Sequence, residues 1–238
     1  MRKACKFVIL FFLVFVYNKG YGQDSRLGSW NILNLKLRIN DKLSVFSEFQ
    51  IRSLGFYSNF HYYEYKAGAA YQIHPNINLA LGAGDYNTYR EGGNFISPMN
   101  NDEFRIWPQF TLTQSIGNFK IEHRYRAELR FTSLGYRNRF RYRLGLSLPF
   151  GLEKDGYKPF TISFSDELFF TDAEPHFERN RALFSFSIRF SKQIAMQTGY
   201  IKQYDYKIND ETGRDFLLLG INIELSKKGH PQELKSND

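Results

Sequence analysis

The sequence predicts an all-β chain that folds as an antiparallel, up-and-down transmembrane β-barrel of about ten to twelve strands after a cleaved signal peptide. Apolar and polar side chains alternate with a period of two along most of the chain, and only a β-strand sorts such a pattern onto two faces. The alternating runs are mostly about ten to fourteen residues long, which suits strands that cross a bilayer at a tilt. Aromatic residues make up 18% of the 238 residues, a high share for a soluble domain, while the negative mean hydropathy excludes a bundle of membrane helices.

The first residues match a secretory signal peptide. Three basic residues stand within the first six positions, an apolar run of ten residues follows from Phe7 to Val16, and small residues at 20–22 supply a cleavage site. Ten apolar residues are too few for a helix across a hydrocarbon layer of roughly 30 Å, which disfavours a retained anchor. We therefore expect residues 1–22 to be the signal peptide, 23–228 the outer-membrane barrel domain and 229–238 a polar tail.

Removal of the signal peptide changes the charge and the cysteine content. The whole chain has a formal net charge of +8, and residues 1–22 contain four basic and no acidic residues, so the mature chain falls to +4. Cys5, the single cysteine, leaves as well, and it precedes the apolar run, so it is not placed as a lipoprotein cysteine. We therefore expect no disulfide, no cysteine-based metal site and no nucleic-acid partner. Phosphate-binding glycine motifs are missing, and no cofactor is expected.

The clearest strand pair runs from Lys120 to Phe150. Six of its charged residues alternate with apolar ones from Lys120 to Phe131, and arginines 139, 141 and 143 alternate with apolar residues after a short polar link. The hairpin therefore has one apolar face and one face dense in arginine.

Each of the other strands follows from the same alternation between turn residues. The predicted runs are 27–39, 43–52, 63–72, 77–89, 104–113, 120–131, 139–150, 162–170, 181–190, 194–206 and 217–225. Tight turns are expected near 40, 75, 117 and 192, where Asn, Asp, Pro, Gly or Ser residues cluster. Longer links are expected at 54–60, 91–102, 132–137, 151–157, 171–179 and 207–213. Single-chain bacterial barrels normally have an even strand number, so eleven runs predict ten or twelve strands. Pro108 predicts a bulge in the fifth run, because proline lacks a ladder donor.

Alternation alone does not decide which face meets water, since a soluble barrel would turn the apolar face inward. The export signal, the alternation of short and long links, and tyrosines near strand ends favour lipid on the outside. The last run, with Gly220, Ile223 and Leu225, resembles the terminal-strand signal that the barrel-assembly machinery reads. Outer-membrane lipid and that machinery are therefore the expected partners, and the sequence indicates no oligomeric state.

Five segments carry a family resemblance that covers nearly the whole mature chain. They are Gly28-Ser29-Trp30-Asn31, residues 101–108 (NDEFRIWP), residues 122–126 (EHRYR), residues 136–143 (YRNRFRYR) and Phe169-Phe170-Thr171-Asp172. With them the chain resembles an uncharacterised domain-of-unknown-function family of Gram-negative outer-membrane β-barrels. The resemblance implies a barrel fold and an outer-membrane location, and it implies no activity.

With lipid outside, a set of charged side chains is predicted to line the lumen. Its members are Arg105, Arg124, Arg126, Arg130, Arg139, Arg141, Arg143, Arg181, Arg189, Glu48, Glu122, Glu128 and Glu167, with Glu64 and Glu224 on the same faces. One interpretation is an interior filled by arginine–carboxylate pairs. The other is a narrow pore whose surplus positive charge favours anionic solutes.

Two further hypotheses remain from the sequence. An outer-membrane lipid-modifying hydrolase could use His123, which lies on the apolar face, but Ile121 and Tyr125 flank it on that face where a serine partner would be needed. A soluble periplasmic barrel that binds an apolar ligand is the other alternative. The remaining histidines lack metal-ligand spacing, and Asp172, Glu178 and the other acids near them are expected to be solvated in outer loops. We therefore expect no catalytic residue and no metal site.

Overall fold

A computed structural model describes residues 27–153, 156–206 and 212–227, so the predicted signal peptide and polar tail lie outside the described residues. The described residues form eleven strands of one closed barrel. The strands are β1 (Gly28–Arg38), β2 (Leu43–Gly55), β3 (Ser58–His74), β4 (Ile77–Arg90), β5 (Ile96–Ile116), β6 (Phe119–Thr132), β7 (Gly135–Phe150), β8 (Phe160–Thr171), β9 (Phe177–Arg189), β10 (Ile194–Asp205) and β11 (Thr212–Ser226). The all-β barrel is confirmed. No helix in the described part of the chain is long and apolar enough to cross a membrane.

The barrel closes through a parallel pair of strands. Each strand is antiparallel to its neighbours in chain order, and β1 pairs with β11 in parallel from Gly28–Phe216 to Arg38–Ser226. The expectation of an even strand number is therefore wrong. In an up-and-down barrel with an odd number of strands, the first and last strands run the same way, so only a parallel ladder can close the sheet.

The links between strands form two rims. Rim A contains links 39–42, 75–76, 117–118, 151–159 and 190–193, and rim B contains links 56–57, 91–95, 133–134, 172–176 and 206–211. The tight turns predicted near 40, 75, 117 and 192 are all present on rim A. The long links predicted at 54–60 and 132–137 are wrong, because two-residue turns join those strands. Tyr57 and Gly135 have positive φ angles of 49° and 118°. This left-handed backbone conformation lets each pair of strands close in a two-residue turn.

Pro108 does not cause the predicted bulge. Leu81 opposite Pro108 keeps the register of the β4–β5 ladder, and the pairs Ile106–Leu129 and Gln109–Arg126 keep one register along β6. The β5–β6 ladder only skips Trp107 and Pro108. A missing N–H thus removes a ladder bond without inserting a residue.

The apolar side chains lie on the outside of the barrel. In β6, Leu129 and Phe131 are exposed by 36% and 45%, whereas Glu128, on the other face of the strand, is 1% exposed. The same arrangement recurs around the barrel, with exposed Leu35, Val45, Phe49, Tyr65, Leu81, Phe104, Tyr125, Phe140, Leu146, Phe164, Phe184, Leu217 and Ile221. This is the inverse of a water-soluble barrel, whose apolar face would fill the interior.

Candidate functional site: a charged chamber inside the barrel

Glu128 is the centre of an ion-pair network inside the barrel. The β6–β7 register sets it opposite Arg139 and sets Arg126 opposite Arg141. Its carboxylate accepts hydrogen bonds from Arg139 Nη2 and Arg141 Nη1 at 2.5 Å each, and Arg105 Nη1 and Arg126 Nη1 lie 3.7 Å away. Because its side chain is fully buried, four guanidinium groups replace the water that a carboxylate otherwise requires.

Glu167 on β8 binds a second group of arginines. Its Oε1 accepts from Arg124 Nη2 at 2.5 Å and lies 2.8 Å from Arg141 Nη2. Its other oxygen lies 3.8 Å from Arg181 Nη1. Arg141 therefore bridges Glu128 and Glu167, and the two carboxylates belong to one network.

Two further acids extend this network toward rim B. Glu103 accepts hydrogen bonds from Arg105 Nε at 2.6 Å and from Arg130. Glu178 lies 3.3 Å from Arg139 Nη1 and 3.6 Å from Arg130 Nη1. The Arg130–Glu178 pair joins β6 to β9, with two strands between them. The expectation of a solvated Glu178 in an outer loop is wrong: β9 begins at Phe177, the β8–β9 register shifts at Glu178, and the side chain of Glu178 pairs with Arg130 and Arg139 inside the barrel.

A stacked aromatic pair fills the interior beside the network. Phe46 of β2 and Trp107 of β5 stack with ring centroids 5.7 Å apart, and the Arg126 guanidinium lies 4.0 Å from the Trp107 ring centroid. Strands β3 and β4 lie between β2 and β5, and a glycine on each of β3 and β4 makes room for the two rings. A Cβ on Gly68 would overlap Phe46, and a Cβ on Gly82 would overlap Trp107.

Trp30 organises the opposite wall. The Arg52 guanidinium lies 3.4 Å from the Trp30 ring centroid, and the Arg181 guanidinium lies 4.6 Å from it. The indole Nε1 donates to Gln50 Oε1 at 2.7 Å. Trp30 also packs edge-on against Phe216 in a small buried apolar cluster. Two arginines from β2 and β9 are thereby held against one ring.

A cavity of about 360 Å³, which we call the chamber, lies within the rim-B half of the barrel. Its charged and titratable lining consists of Arg52, His61, Tyr62, Glu64, Lys66, Tyr86, Glu103, Arg105, Arg130, Arg139, Arg141, Glu178, Arg179, Arg181, Asp205, Tyr206 and Arg214. Nine of these residues are arginine or lysine and four are aspartate or glutamate. The chamber wall therefore carries a surplus of positive charge, because four acidic side chains cannot neutralise nine basic ones.

The thirteen residues predicted for the lumen do not form one site. Arg105, Arg130, Arg139, Arg141 and Arg181 line the chamber, and Arg124, Arg126, Glu128 and Glu167 form the network that adjoins it. Arg143 and Glu122 pair at 2.5 Å nearer rim A, and Glu48 pairs with Lys66 at 2.7 Å. Arg189 stays outside the network; its Nη1 donates to the Lys192 carbonyl at 3.4 Å.

The sequence prediction of the site did not include several residues that line or adjoin the chamber. They are Arg52, Lys66, Glu103, Glu178, Arg179 and Asp205, with the aromatic residues Tyr62, Tyr86 and Phe169; Trp30, which contacts Arg52, adjoins the chamber. Glu178 lies at an irregularity in the β8–β9 register. The others continue the inward period of their strands, so extending the alternation through each strand to rim B would have identified them. The prediction concentrated instead on strands with consecutive arginine repeats.

On rim B, Asp172 ties the β8–β9 link to β7. Its carboxylate accepts hydrogen bonds from the Asn138 side chain at 2.8 Å and from the Asn138 backbone N–H at 3.2 Å. The bond from the Asn138 side chain is the main reason that the pKa of Asp172 lies below its ordinary value.

His123 lies on the outer face of the barrel and contacts the ring of Tyr142. Its Nδ1 lies 2.9 Å from the Tyr142 hydroxyl, and the two rings stack at a centroid distance of 6.2 Å. Leu112 and Leu144 lie opposite it on the neighbouring strands. Within the described ranges, no group of three His, Cys, Asp or Glu side chains could hold a metal ion.

Comparison with known proteins gives one match. The model of a protein family of unknown function, DUF2490, matches residues 27–214, which include ten complete strands and the start of the eleventh. No curated protein and no solved structure matches the chain.

Proposed function

The chain belongs to the DUF2490 family, whose function is unknown, and we propose that it is a non-enzymatic β-barrel of the Gram-negative outer membrane, exported by a signal peptide, with a narrow lumen that favours anionic solutes. The observation that carries this proposal is the inverted distribution of side chains. Exposed aliphatic and aromatic residues surround a closed barrel whose interior is ionic. Lipid satisfies such an exterior, and a closed sheet pairs its backbone groups internally.

Aromatic clusters near the rims support a bilayer environment. At rim B, Tyr63, Tyr89 and Phe95 form mutual ring contacts with centroids 5.2 to 6.0 Å apart. At rim A, Phe150 and Phe160 contact each other with centroids 5.5 Å apart. Two such girdles, one at each interface, are typical of outer-membrane barrels.

The lumen contents favour a narrow path over a wide channel. Trp107 and the carboxylate of Glu128 are almost completely buried at the level where Phe46 and Arg126 reach across the interior. The surplus of arginine along the chamber wall would repel cations and attract anions. A solute would therefore have to be small and negatively charged.

Cell fractionation tests the location. The mature protein is expected in the outer-membrane fraction, and its gel mobility should change on boiling because a closed barrel resists detergent until it is heated. Recovery in the soluble periplasmic fraction, with mobility indifferent to heating, would reject the membrane proposal and favour a soluble barrel.

Planar-bilayer recording tests the path itself. Purified protein is expected to give small conductance steps, and in a salt gradient the reversal potential should have the sign of anion selectivity. A folded, membrane-inserted protein that gives no conductance would reject the pore and leave the barrel as a structural element. Cation selectivity would contradict the role assigned to the arginine surplus.

Single-cysteine labelling should reveal which rim faces outward. Leu134 on rim B and Leu152 on rim A are exposed by 81% and 91%, and the mature chain is expected to lack cysteine because Cys5 leaves with the signal peptide. Short turns usually face the periplasm, and most rim-A links are short. Leu134→Cys should therefore react with a membrane-impermeant maleimide on intact cells, and Leu152→Cys only after the outer membrane is permeabilised. The opposite pattern would invert the orientation.

A further inference from the structure

The chamber has more cationic groups than its own acids can neutralise. Among the residues that the structure describes, adding the adjoining buried groups and Glu91, which pairs with Arg214 at 2.6 Å, gives eleven basic and eight acidic side chains. The surplus therefore persists beyond the immediate lining. Buried positive charge without a counter-charge is costly, and a bound anion would remove that cost.

Among the arginines that line the chamber, Arg181 is the least neutralised. Its nearest carboxylate, Glu167, lies 3.8 Å away and is held more closely by Arg124 and Arg141. The Arg181 Nε and Nη2 groups donate instead to the neutral amide oxygen of Gln203, at 3.3 and 2.9 Å. A ligand carboxylate or phosphate would offer Arg181 a stronger partner than either contact supplies.

The other chamber wall also has unmatched donors. The Arg52 Nε and the Tyr86 hydroxyl are buried and have no hydrogen-bond partner among the described residues. Glu64 is the carboxylate that pairs with Arg52, at 3.1 Å, and it is shared with Lys66 at 2.8 Å. The wall is thus richer in donors than in acceptors, which is the complement of an anion.

Aromatic rings hold these guanidinium groups in position before any ligand binds. Arg52 lies over Trp30 and over Tyr62, with the second centroid 4.0 Å away, and Arg105 lies 3.6 Å from the centroid of Tyr86. A guanidinium stacked on a ring keeps its N–H edge free for bidentate contact with carboxylate or phosphate. Such positioning reduces the entropy lost on binding.

We propose that the chamber is a specific binding site for a small anion bearing two or more carboxylate or phosphate groups, with Arg52 and Arg181 as principal contacts. A volume of about 360 Å³ is at the lower end for small-molecule sites, which suits a compact ligand of this class. The inference deepens the proposed function and rests on its anion-favouring lumen, but it requires the folded barrel alone and not a particular membrane.

Calorimetric titration of the detergent-purified barrel tests this site. Citrate and pyrophosphate serve as ligands of the carboxylate and phosphate kinds, in a buffer of constant ionic strength with chloride as the background anion. Saturable binding near one ligand per barrel is expected for at least one of them, and the preferred ligand identifies the chemistry. Heat that does not saturate, or that acetate reproduces at equal concentration, would overturn the proposal.

Arg181→Gln provides the residue-level test. Glu167 keeps Arg124 and Arg141 in this variant, so no acid is left unpaired, and the binding constant should fall at least about tenfold, as expected for a lost charge-assisted hydrogen bond. Arg189→Gln is the matched control on the same strand and face, outside the chamber, and should bind like the parent. Equal affinity of Arg181→Gln and the parent would place the ligand elsewhere and overturn the assignment.

A second variant covers the case in which Arg181→Gln fails to fold. Arg214→Gln alters the partly exposed chamber wall near rim B and should weaken binding about threefold, since one long-range charge is lost. Unchanged binding there would also count against the chamber. If the parent protein binds neither citrate nor pyrophosphate but keeps its heat-modifiable mobility and its conductance, the site alone is rejected. If the parent binds one of them but fractionates as a soluble protein, only the membrane proposal is rejected.

Discussion

Glu128→Gln is expected to lower the free energy of unfolding by about 3–5 kcal/mol, the range found when one partner of a buried ion pair is removed. The amide keeps the size of the side chain but loses the charge that Arg139 and Arg141 contact at 2.5 Å. It also presents an NH₂ donor to groups that are themselves donors. Urea-induced unfolding of the barrel in detergent micelles, followed by tryptophan fluorescence, measures the change.

Glu122→Gln is the matched control for this prediction. Glu122 lies on the same strand and face and pairs with Arg143 at 2.5 Å, but the two side chains are 37% and 30% exposed. Water can therefore replace much of the lost interaction, and a change below about 1 kcal/mol is expected, as for exposed ion pairs. Equal losses in the two variants would mean that burial does not govern the strength of the network.

The division into faces could be predicted from the sequence because alternation is a local property. From Lys120 to Phe150, a period of two assigns Glu128 and Arg139 to one face without reference to any other strand. The β6–β7 pairing then follows from a short link, and the structure pairs these two residues directly. The direction of the faces was argued from the export signal, the alternation of link lengths and the tyrosines near strand ends, and the exposed Leu129 and Phe131 agree with it.

The features that depend on closure could not be predicted from local patterns. Eleven runs were counted in the sequence, but the rule of even strand numbers was preferred, because no residue of β1 alone indicates the parallel partner through which an odd number of strands closes. The contact between Arg130 and Glu178 likewise joins strands that are neighbours only across the lumen. The link prediction at 54–60 failed because Tyr57, which is not a usual turn residue, adopts a positive φ and closes a tight hairpin.

Alternation places Trp107 on the charged face of β5, but the partners that accommodate its ring were the least predictable part of the site. Trp107 follows Arg105 in the inward period of β5, where a lumen of ion pairs alone would have no place for an indole ring. The ring fits because Gly82 lies beneath it and because Phe46 and Arg126 cover its faces. The spacing of glycines on β4 and the position of Trp107 therefore form one packing arrangement across two strands.

Gly82→Val is expected to destabilise the barrel by at least about 3 kcal/mol, the upper end of the cost typical of overpacked interiors. A Cβ at this position would overlap the six-membered ring of Trp107. That ring cannot yield easily, because it is buried, stacked on Phe46 and contacted by Arg126. A lower boiling threshold for gel mobility and a lower urea midpoint are the expected readouts.

Gly145→Val separates this clash from the general effect of replacing an interior glycine. Gly145 also lies within a strand, but its nearest neighbour to an added Cβ is the Glu122 Cβ at 3.6 Å, an ordinary contact. At position 145, valine should be neutral or stabilising, because glycine weakens strands and β-branched residues favour them.

Combining Gly82→Val with Trp107→Leu should lower the free energy of unfolding by less than the sum of the two single changes, since the smaller leucine side chain frees the space that valine needs. Strict additivity would show that the Gly82 effect does not arise from the Trp107 ring.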